Sequence, residues 1–525
     1  MRNIVLDSLD DDVLLLIIEY ISPFPSLHRL PLDIASLAGV SRHLRHLCFS
    51  VAFKKISWKW FNPCWRIKPF PPPSLGRYIR ELEFVIVQLP STPSGPGSIP
   101  LQSHHLADHM EFISEMVNMA APSLCAIHTV QIMFEDSNYP NKELLMGPWR
   151  TLIEAIFLLP ALESLELESP WFAEDKTFPS LTLRHNNLRR FVYRAPFSWD
   201  LEAICTPKYG KRSAEQLAVE THNLRLLLDA NRDSLEILEL PGELADGILD
   251  SPFPSLKELS LLGHGPNCHT WVSALPTQSH LRKLQLEIAS SYSPSPIPIA
   301  SHLTCSQLAE MRSLTVSNPC PDDPLFRMLP PNLEHLSLIP YPDPFMIWWV
   351  SESEIPVKVV PCSAMNTILT TGSFGSLTSL NMTYQWESDL AEISLLNLIV
   401  QTSPHLEFFE LNRYGKKDSP FDIVSSLETS LRHLKYLSHL RLNLEKSEGK
   451  REVLFQTRVQ KNMSNAVKEA IEQLSLSISS LRFISYLDLI FPSILSLPVW
   501  MWHKWTISRT NGNVELECSM DNVFH

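Results

Sequence analysis

Two histidine clusters are the first candidates for a catalytic or metal-binding site in this sequence. His105 and His109 are one helical turn apart, with Asp108 and Glu111 beside them. Two imidazoles on one helix face can ligate a metal ion, but the glutamate of a His-Glu-x-x-His site is missing and no third ligand is evident. We therefore interpret this cluster as a solvated helix face. The second cluster, residues 264–269, is interpreted as a turn.

Other catalytic signatures are absent from the sequence. There is no glycine-rich phosphate loop and no Gly-x-Ser-x-Gly elbow, and nothing places the many serine, histidine and aspartate residues together. Nine cysteines are scattered without a Cys-x-x-Cys pair, which is typical of free thiols in a reducing compartment. We predict that the protein is not an enzyme and needs no cofactor or metal. A hydrolase or metalloenzyme is the alternative that a bound-metal measurement would test.

Charge and hydropathy limit the class of partner. The formal net charge of −13 argues against a nucleic-acid or anionic-membrane partner, because neutralising phosphates requires an excess of Lys and Arg. No apolar run approaches the roughly 20 residues of a membrane-spanning helix. The apolar run at 13–18 is short and bracketed by acidic residues, unlike a signal peptide. We expect an intracellular protein, cytoplasmic, nuclear or both.

A repeated pattern supplies the elements that would position any site. Leucine, two polar residues, leucine, one residue and leucine recur at steps of mostly about 21 to 31 residues. The copies, with some substitutions, lie at 79–84, 129–132 (a weaker copy), 162–167, 188–193, 235–240, 256–261, 281–286, 311–316, 333–338, 377–382, 406–411, 437–442 and 484–489.

The pattern predicts one short strand per copy. Its second and third apolar positions are two apart, as a strand with one buried face requires. Several spacers have helical periodicity, at 151–159, 214–229, 390–401, 422–436 and 459–474. Because such a strand and helix cannot bury their apolar sides alone, neighbouring copies must stack. We predict an α/β fold, a curved leucine-rich-repeat solenoid with a parallel sheet inside and helices outside. The asparagine that regular repeats of this kind contain is missing from most copies, so we regard the repeats as degenerate.

The residue between the second and third leucines of each copy should lie on the concave face. These residues are Glu83, Gln131, Glu166, Val192, Glu239, Ser260, Gln285, Thr315, Ser337, Asn381, Glu410, Arg441 and Asp488. Five are acidic and one is basic, which favours either a solvated sheet face or a mainly acidic groove for a basic or hydrogen-bonding peptide.

Three spacers are unusually long, at 195–215, 339–371 and 445–461. Long insertions in repeat proteins gather on one face and often bind partners. Trp348 and Trp349 are either aromatic anchors for a partner or core residues of a degenerate repeat. At the C-terminus, Asn511-Gly512 between alternating segments predicts a hairpin that caps the last repeat. A tryptophan-rich ligand site is the alternative for that hairpin.

The N-terminal stretch has the spacing of short amphipathic helices. Its first block has apolar residues at helical intervals after three aspartates, which favour a helix N-terminus. Its second block repeats that spacing before a strand-like end. The apolar positions of the two blocks are Leu9, Val13, Leu14, Ile17, Ile18, Leu37, Val40, Leu44 and Leu47.

These two blocks resemble the F-box, the motif that docks on the Skp-type linker of cullin–RING ubiquitin ligases. Ser41, Arg42 and Arg45 also fit its second block, whereas Asp10 replaces the usual proline. The resemblance implies a substrate adaptor without catalysis. The residues that it implies for linker binding are Leu9, Val13, Leu14, Ile17, Ile18, Leu37, Val40 and Leu44. We assign 1–58 to the module, 59–78 to a connector, 79–497 to repeats and 498–525 to a cap. The alternative is a repeat scaffold that is unattached to a ligase, with an ordinary helical subdomain at its N-terminus.

Overall fold

The computed structural model describes residues 9–21, 32–62, 73–88, 115, 117, 118, 120–135, 149–168, 187–194, 214–264, 280–289, 304–341, 359–414, 423–444, 457–490, 499–510 and 513–522. The fold is mixed α/β, and in these residues sixteen strands form mostly parallel sheet with helices between them. The chain divides into two units. One contains Met1–Asp200 and Gly210–Ser255, and the other contains Leu201–Tyr209 and Leu256–His525.

The first unit begins with three helices, α1 (Asp11–Ile21), α2 (Leu32–Val40) and α3 (Arg42–Ala52). They form because apolar residues recur at helical intervals, so each helix turns one stripe toward the others. The buried members of this small core are Leu14, Ile18, Ile34, Ala38, Leu44, Leu47 and Cys48.

Six parallel strands follow in chain order in this unit. They are β1 (Lys55–Asn62), β2 (Glu81–Gln88), β3 (Thr129–Glu135), β4 (Ser164–Leu167), β5 (Arg190–Tyr193) and β6 (Ile237–Pro241). The helices between or after them are α4 (Pro73–Gly76), α5 (Trp149–Phe157), α6 (Ala214–Asp229) and α7 (Ala245–Ile248), with a 3-10 turn at Gly242–Leu244.

The second unit has ten strands. They are β7 (Glu258–His264), β8 (Lys283–Ala289), β9 (Ser313–Ser317), β10 (His335–Ile339), β11 (Ser379–Gln385), β12 (Phe408–Tyr414), β13 (His439–Leu444), β14 (Phe483–Ile490), β15 (Val499–Thr510) and β16 (Asn513–Asn522). Its helices are α8 (Cys305–Leu308), α9 (Leu325–Met328), α10 (Cys362–Thr371), α11 (Asp389–Thr402), α12 (Val424–Leu431) and α13 (Thr457–Ser477). Strands β7 to β14 pair in parallel with their chain neighbours.

Each copy of the leucine pattern forms a strand, and within each unit the copies are in register as far as β13. The second apolar position pairs with its equivalent in the next strand, for example Leu380 with Phe409 and Phe409 with Leu440. These side chains are buried. The registered apolar rows form the core because alternate residues of a strand point to the same face.

The last copy is an exception to this register. Leu440, on β13, pairs with Ile484, on β14. Ser485, and not the predicted Asp488, therefore holds the position equivalent to Arg441.

Two boundaries differ most from the sequence prediction, whereas the helices predicted at 151–159, 390–401 and 459–474 differ by three residues or fewer at each end. Lys59–Asn62, assigned to a connector, is the second half of β1, which pairs with β2 along its whole length. The helix predicted at 422–436 is shorter, at Val424–Leu431. The helix predicted at 214–229 has those bounds in the structure. The β1 extension arises because the alternating pattern continues past Trp58 and β2 offers a free edge for pairing.

The last two strands form an antiparallel hairpin at the edge of the sheet. Thr510 pairs with Asn513, so a two-residue loop connects β15 and β16, and β15 also pairs antiparallel with β14. The Arg509 guanidinium donates to the carbonyls of Ser475 (2.8 Å) and Ile478 (3.1 Å). It thereby ties the hairpin to the C-terminal end of α13, where free carbonyls accept hydrogen bonds.

One asparagine joins three neighbouring strands at their carboxyl ends. Asn318 follows β9 and has a left-handed φ of 48°. Its side-chain amide donates to the carbonyls of Ile288 (3.2 Å), in β8, and Tyr341 (3.1 Å), after β10. Asparagine tolerates this conformation better than most side chains, so the turn and the two bridges favour the same residue.

Candidate functional site

The N-terminal helices leave an apolar surface exposed. Val13, Leu16, Tyr20 and Val40 are 45 %, 67 %, 88 % and 69 % exposed, respectively. The first three follow helical spacing on α1, and Val40 is the last residue of α2. Large apolar side chains that cluster on a surface are typical of protein-interaction sites. We define these four residues as the exposed apolar patch.

The structure divides the sequence-predicted partner residues into three groups. Leu14, Ile18 and Leu44 lie in the module's own core, and Val13 and Val40 are exposed. The half-buried residues are Leu9, Ile17 and Leu37. Of the sequence-predicted residues, only Val13, Val40 and the three half-buried residues therefore have surface outside the module's own core. Leu16 and Tyr20 were missed, although their spacing from Val13 marks a second apolar face on α1.

Polar contacts fix the geometry of the three helices. Asp10 caps α1, because its carboxylate accepts the Asp12 N–H at 2.9 Å. The Ser41 hydroxyl caps α3 by accepting the Leu44 N–H at 3.0 Å. The Arg45 side chain donates to the Ala38 carbonyl at 3.1 Å. Aspartate at the position where the F-box pattern has proline thus still starts the helix, through a side-chain cap.

The helical module is attached to the first strands. His46, on α3, contacts the Tyr78 hydroxyl at 3.0 Å, and Phe49 packs edge-on against the Tyr78 ring. The carbonyl of Lys54 accepts the N–H groups of Arg80 and Glu81 at 2.8 and 3.0 Å. The module and the start of the sheet therefore share contacts within one unit.

In the first unit, the glutamates predicted to line the sheet face are paired with cations. Glu83 lies 3.7 Å from Lys55, on the neighbouring strand. Glu166 pairs with Arg190. Glu239 accepts from Arg194 at 2.7 Å. These carboxylates are therefore compensated, because strand neighbours on the same face supply positive charge.

Arg194 also approaches Glu168 at 3.6 Å. Burial acts to lower the pKa of Arg194, but its hydrogen bond to Glu239 and the charges of Glu239, Glu166 and Glu168 outweigh burial and raise that pKa. Burial raises the pKa of Glu168, while Arg194 opposes that shift. Arg194 therefore stays charged and holds the carboxylates of two strands together.

The cation is the more exposed member of each of these pairs. The side chains of the cations Lys55, Arg190, Arg194 and Arg441 are 45 %, 33 %, 33 % and 43 % exposed. Those of their partners Glu83, Glu166, Glu239 and Glu410 are 14 %, 13 %, 16 % and 15 % exposed. Basic groups are thus the outermost charges at these four pairs. The sequence prediction missed Lys55, Arg190 and Arg194 because it used one position per strand, whereas positions two residues away share its face.

In the second unit, the predicted face residues form a hydrogen-bonded surface. The Gln285 amide donates to Glu287 at 2.8 Å and its carbonyl accepts from Ser260 at 3.3 Å. Asn412 donates to Asn381 at 3.3 Å. A further donation, from Asn443 to Asn412 at 3.2 Å, extends this ladder to β13. Arg441 donates to Glu410 at 3.3 Å.

Aromatic rings and cations alternate beside that ladder. The His439 and Phe483 rings are stacked with centroids 4.6 Å apart. Arg441 lies over the rings of Phe408 (5.4 Å) and Trp502 (5.2 Å), and Lys504 lies 4.7 Å from the Phe483 ring centroid. Such cation–π contacts hold a charged head at the surface. We call this set, all on β12 to β15, the cation–aromatic cluster: Phe408, His439, Arg441, Phe483, Trp502 and Lys504.

A buried ion pair lies on the opposite, helix-covered side of the same strands. Arg413 (2 % exposed) on β12 donates to both carboxylate oxygens of Glu392 (3 % exposed) on α11, at 2.7 and 3.1 Å. The Tyr384 hydroxyl donates to the same carboxylate at 2.7 Å. Burial and the adjacent negative charge raise the pKa of Tyr384 well above its usual value. This network has a structural role, since all three groups are sealed from solvent.

The remaining sequence candidates are not brought into a site. His105, Asp108, His109, Trp348 and Trp349 lie outside the described residues, as does 265–279, which includes most of the second histidine cluster. Within the part of the chain that the structure describes, no group of three or more His, Cys, Asp or Glu side chains could hold a metal ion. No described helix is long and apolar enough to cross a membrane.

Comparison with known proteins adds no relative. No protein-family model matches this chain, and no curated protein matches it.

Proposed function

We propose that this protein is a substrate-recognition adaptor of an SCF-type ubiquitin ligase, whose F-box-like module docks on a Skp-type linker. The observation that carries the proposal is the exposed apolar patch on α1 and α2. Leu16, Tyr20 and Val40 each expose about two thirds or more of their surface, next to a core that is already filled. Three short helices with such a surface gain stability when a partner covers it.

The rest of the chain would capture the target. Parallel strands in register, with helices between them, support a degenerate leucine-rich-repeat solenoid, and the Asn318 bridges support stacking of its repeats. By holding a target near a ubiquitin-charged enzyme that the cullin complex supplies, the adaptor would raise the effective concentration of target lysines. No catalytic group, cofactor, nucleic acid or membrane is needed, and the adaptor would act in the cytoplasm, the nucleus or both.

Co-purification with a Skp-type linker tests the docking step. We expect Leu16→Asp with Val40→Asp to abolish co-purification, because a charge at each position must be desolvated in the interface. Leu476→Asp is the matched control, since Leu476 on α13 is 68 % exposed and Leu16 is 67 % exposed. Parent-like linker binding by the double variant would reject the proposal. Circular dichroism of all variants checks that the helices persist.

A leucine-rich-repeat scaffold unattached to a ligase is the second candidate. One observation favours it: β1 follows α3 directly and pairs with β2, and α3 contacts Tyr78, so the helices are placed to cap the first strands. On this hypothesis the parent protein would not retain the linker. Removing residues 1–62, which include all of β1, would then expose the β2 edge and lower solubility, because an unpaired edge strand promotes aggregation.

A further inference from the structure

The cation–aromatic cluster differs in charge from the surface that the sequence predicts. Of its two cations, Arg441 has one carboxylate partner, Glu410, which is 15 % exposed against 43 % for the Arg441 side chain. Among the described residues, the ammonium of Lys504 has no carboxylate partner within salt-bridge distance. Both cations are instead held over aromatic rings, which orient them without neutralising their charge.

Burial and the charged groups around the His439 ring shift its pKa. Burial lowers its pKa, and the positive charges of Lys504, Arg441 and Arg482 lower it further, while Glu407 acts in the opposite direction. Three cations and one carboxylate therefore act on this ring. Although the net charge of the chain is −13, positive charges outnumber negative ones around this ring, and exposed cations attract an anionic partner.

Beside the cluster lies a row of hydrogen-bonded asparagines that are largely buried. Asn381, Asn412 and Asn443 form a ladder across three strands, and Glu410 lies between that ladder and the rings. Asn412 and Asn443 are 9 % and 1 % exposed, so the ladder stiffens the surface under the cations. A rigid surface lowers the entropy loss when a flexible segment binds.

We propose that the cation–aromatic cluster binds an acidic linear segment of a protein partner, whose carboxylates pair with Arg441 and Lys504 where the aromatic rings hold these two cations. The proposal deepens the proposed function, on which it rests only in identifying that partner as the captured target. The acidic partner differs from the basic or hydrogen-bonding peptide that is one of the two interpretations of this face from the sequence.

A single-stranded nucleic acid is the competing ligand class, and the contacts disfavour it. Bases need open ring faces for stacking, but the His439 and Phe483 rings stack on each other, and Lys504 lies against Phe483. Arg441 lies against both Phe408 and Trp502. A phosphate backbone also requires a longer track of cations than this cluster provides.

Fluorescence anisotropy with the full chain tests the proposal. The probes are a short glutamate-rich peptide, the same peptide with glutamine at every glutamate, and a labelled oligouridylate. We expect the glutamate peptide alone to bind, with an affinity that falls as salt rises. Arg441→Gln with Lys504→Gln should weaken that binding about tenfold, as expected for two partly exposed charge contacts.

Two further variants separate binding from folding. Glu410→Gln removes the acidic partner of Arg441, so it should strengthen peptide binding, whereas a purely structural role of the pair predicts weaker binding.

Lys468→Gln is the control for loss of a cation elsewhere, because Lys468 on α13 is 66 % exposed, and this variant should bind the peptide as the parent does. Equal binding of the glutamine peptide, or unchanged affinity in the double variant, would overturn the proposal. So would oligouridylate binding that the double variant loses.

The assay contains no linker. Failure of peptide binding therefore leaves the docking proposal intact, and failure of linker co-purification leaves this one intact.

Discussion

The buried Arg413–Glu392 pair gives a quantitative prediction about what holds the second unit together. The pair is bidentate, and its two side chains are 2 % and 3 % exposed. At an effective dielectric constant of about 20, two charges about 4 Å apart attract by about 4 kcal/mol. Removing one partner also leaves a buried charge without compensation, and this typically costs about 3–5 kcal/mol.

We therefore expect Arg413→Met to lower the local free energy of opening of β11, α11 and β12 by about 3–5 kcal/mol. Glu392→Leu should have a similar effect. The double variant should recover most of the loss, because no buried charge remains. Its Tyr384 hydroxyl then lacks an acceptor, at a cost of about 1–3 kcal/mol. Adding Tyr384→Phe should remove that last penalty.

Native-state hydrogen exchange, read by mass spectrometry on these elements, measures the effect directly. A loss of about 3–5 kcal/mol corresponds to exchange roughly 10²- to 10³-fold faster or more. Glu472→Gln is the control, because Lys468 and Glu472 form an exposed pair, 66 % and 50 % exposed, whose loss should change little. Parent-like exchange in Arg413→Met, or a triple variant no more stable than the single ones, would refute the reasoning.

Three further predictions follow from local contacts and pKa shifts. Burial, with the charge of Glu392, raises the pKa of Cys362 to about 12. At pH 8 only about one thiol in 10⁴ would then be ionised, so alkylation should label exposed Cys125 and Cys305 first, and equal labelling of Cys362 in the native state would contradict this. The pKa of His439 is lower in the folded protein than in the unfolded chain, so the unfolded chain binds the proton more readily. The stability that depends on neutral His439 is therefore present above the unfolded pKa, about 6.5. It is lost as the pH falls below that value. Exchange in β13 should thus quicken on acidification in the parent but less in His439→Asn, and identical pH profiles would count against the shift. Finally, Ser41→Ala should destabilise α3 by about 1 kcal/mol, whereas Ser41→Asp should keep the cap; equal exchange in both variants would argue against the capping role.

The apolar pattern predicts where the strands lie because its signal is local. Leu380 and Met382 are two residues apart, and that spacing alone requires a strand with one buried face. The helix at Ala214–Asp229 was likewise predictable from its own periodicity. The extension of β1 to Asn62 was not, because it depends on pairing with β2, which is distant in sequence.

Whether a surface charge is compensated depends on side chains of neighbouring strands, which the local sequence does not show. Glu166 is acidic in any reading of the sequence, but Arg190 compensates it from the next strand. Likewise, Arg441 gains its place over Trp502 only because β15 returns antiparallel beside β14. The sequence-predicted acidic face became a surface of paired charges for this reason.

The helices of the N-terminal module, the series of strands and the final hairpin can each be predicted from the local spacing of apolar and turn residues. Which side chains remain exposed depends instead on how these elements pack. Leu14 and Val13 are adjacent apolar residues on α1, yet one fills a core and the other is exposed. The difference arises because burial depends on what packs against each face, and residues far away in the chain supply that packing.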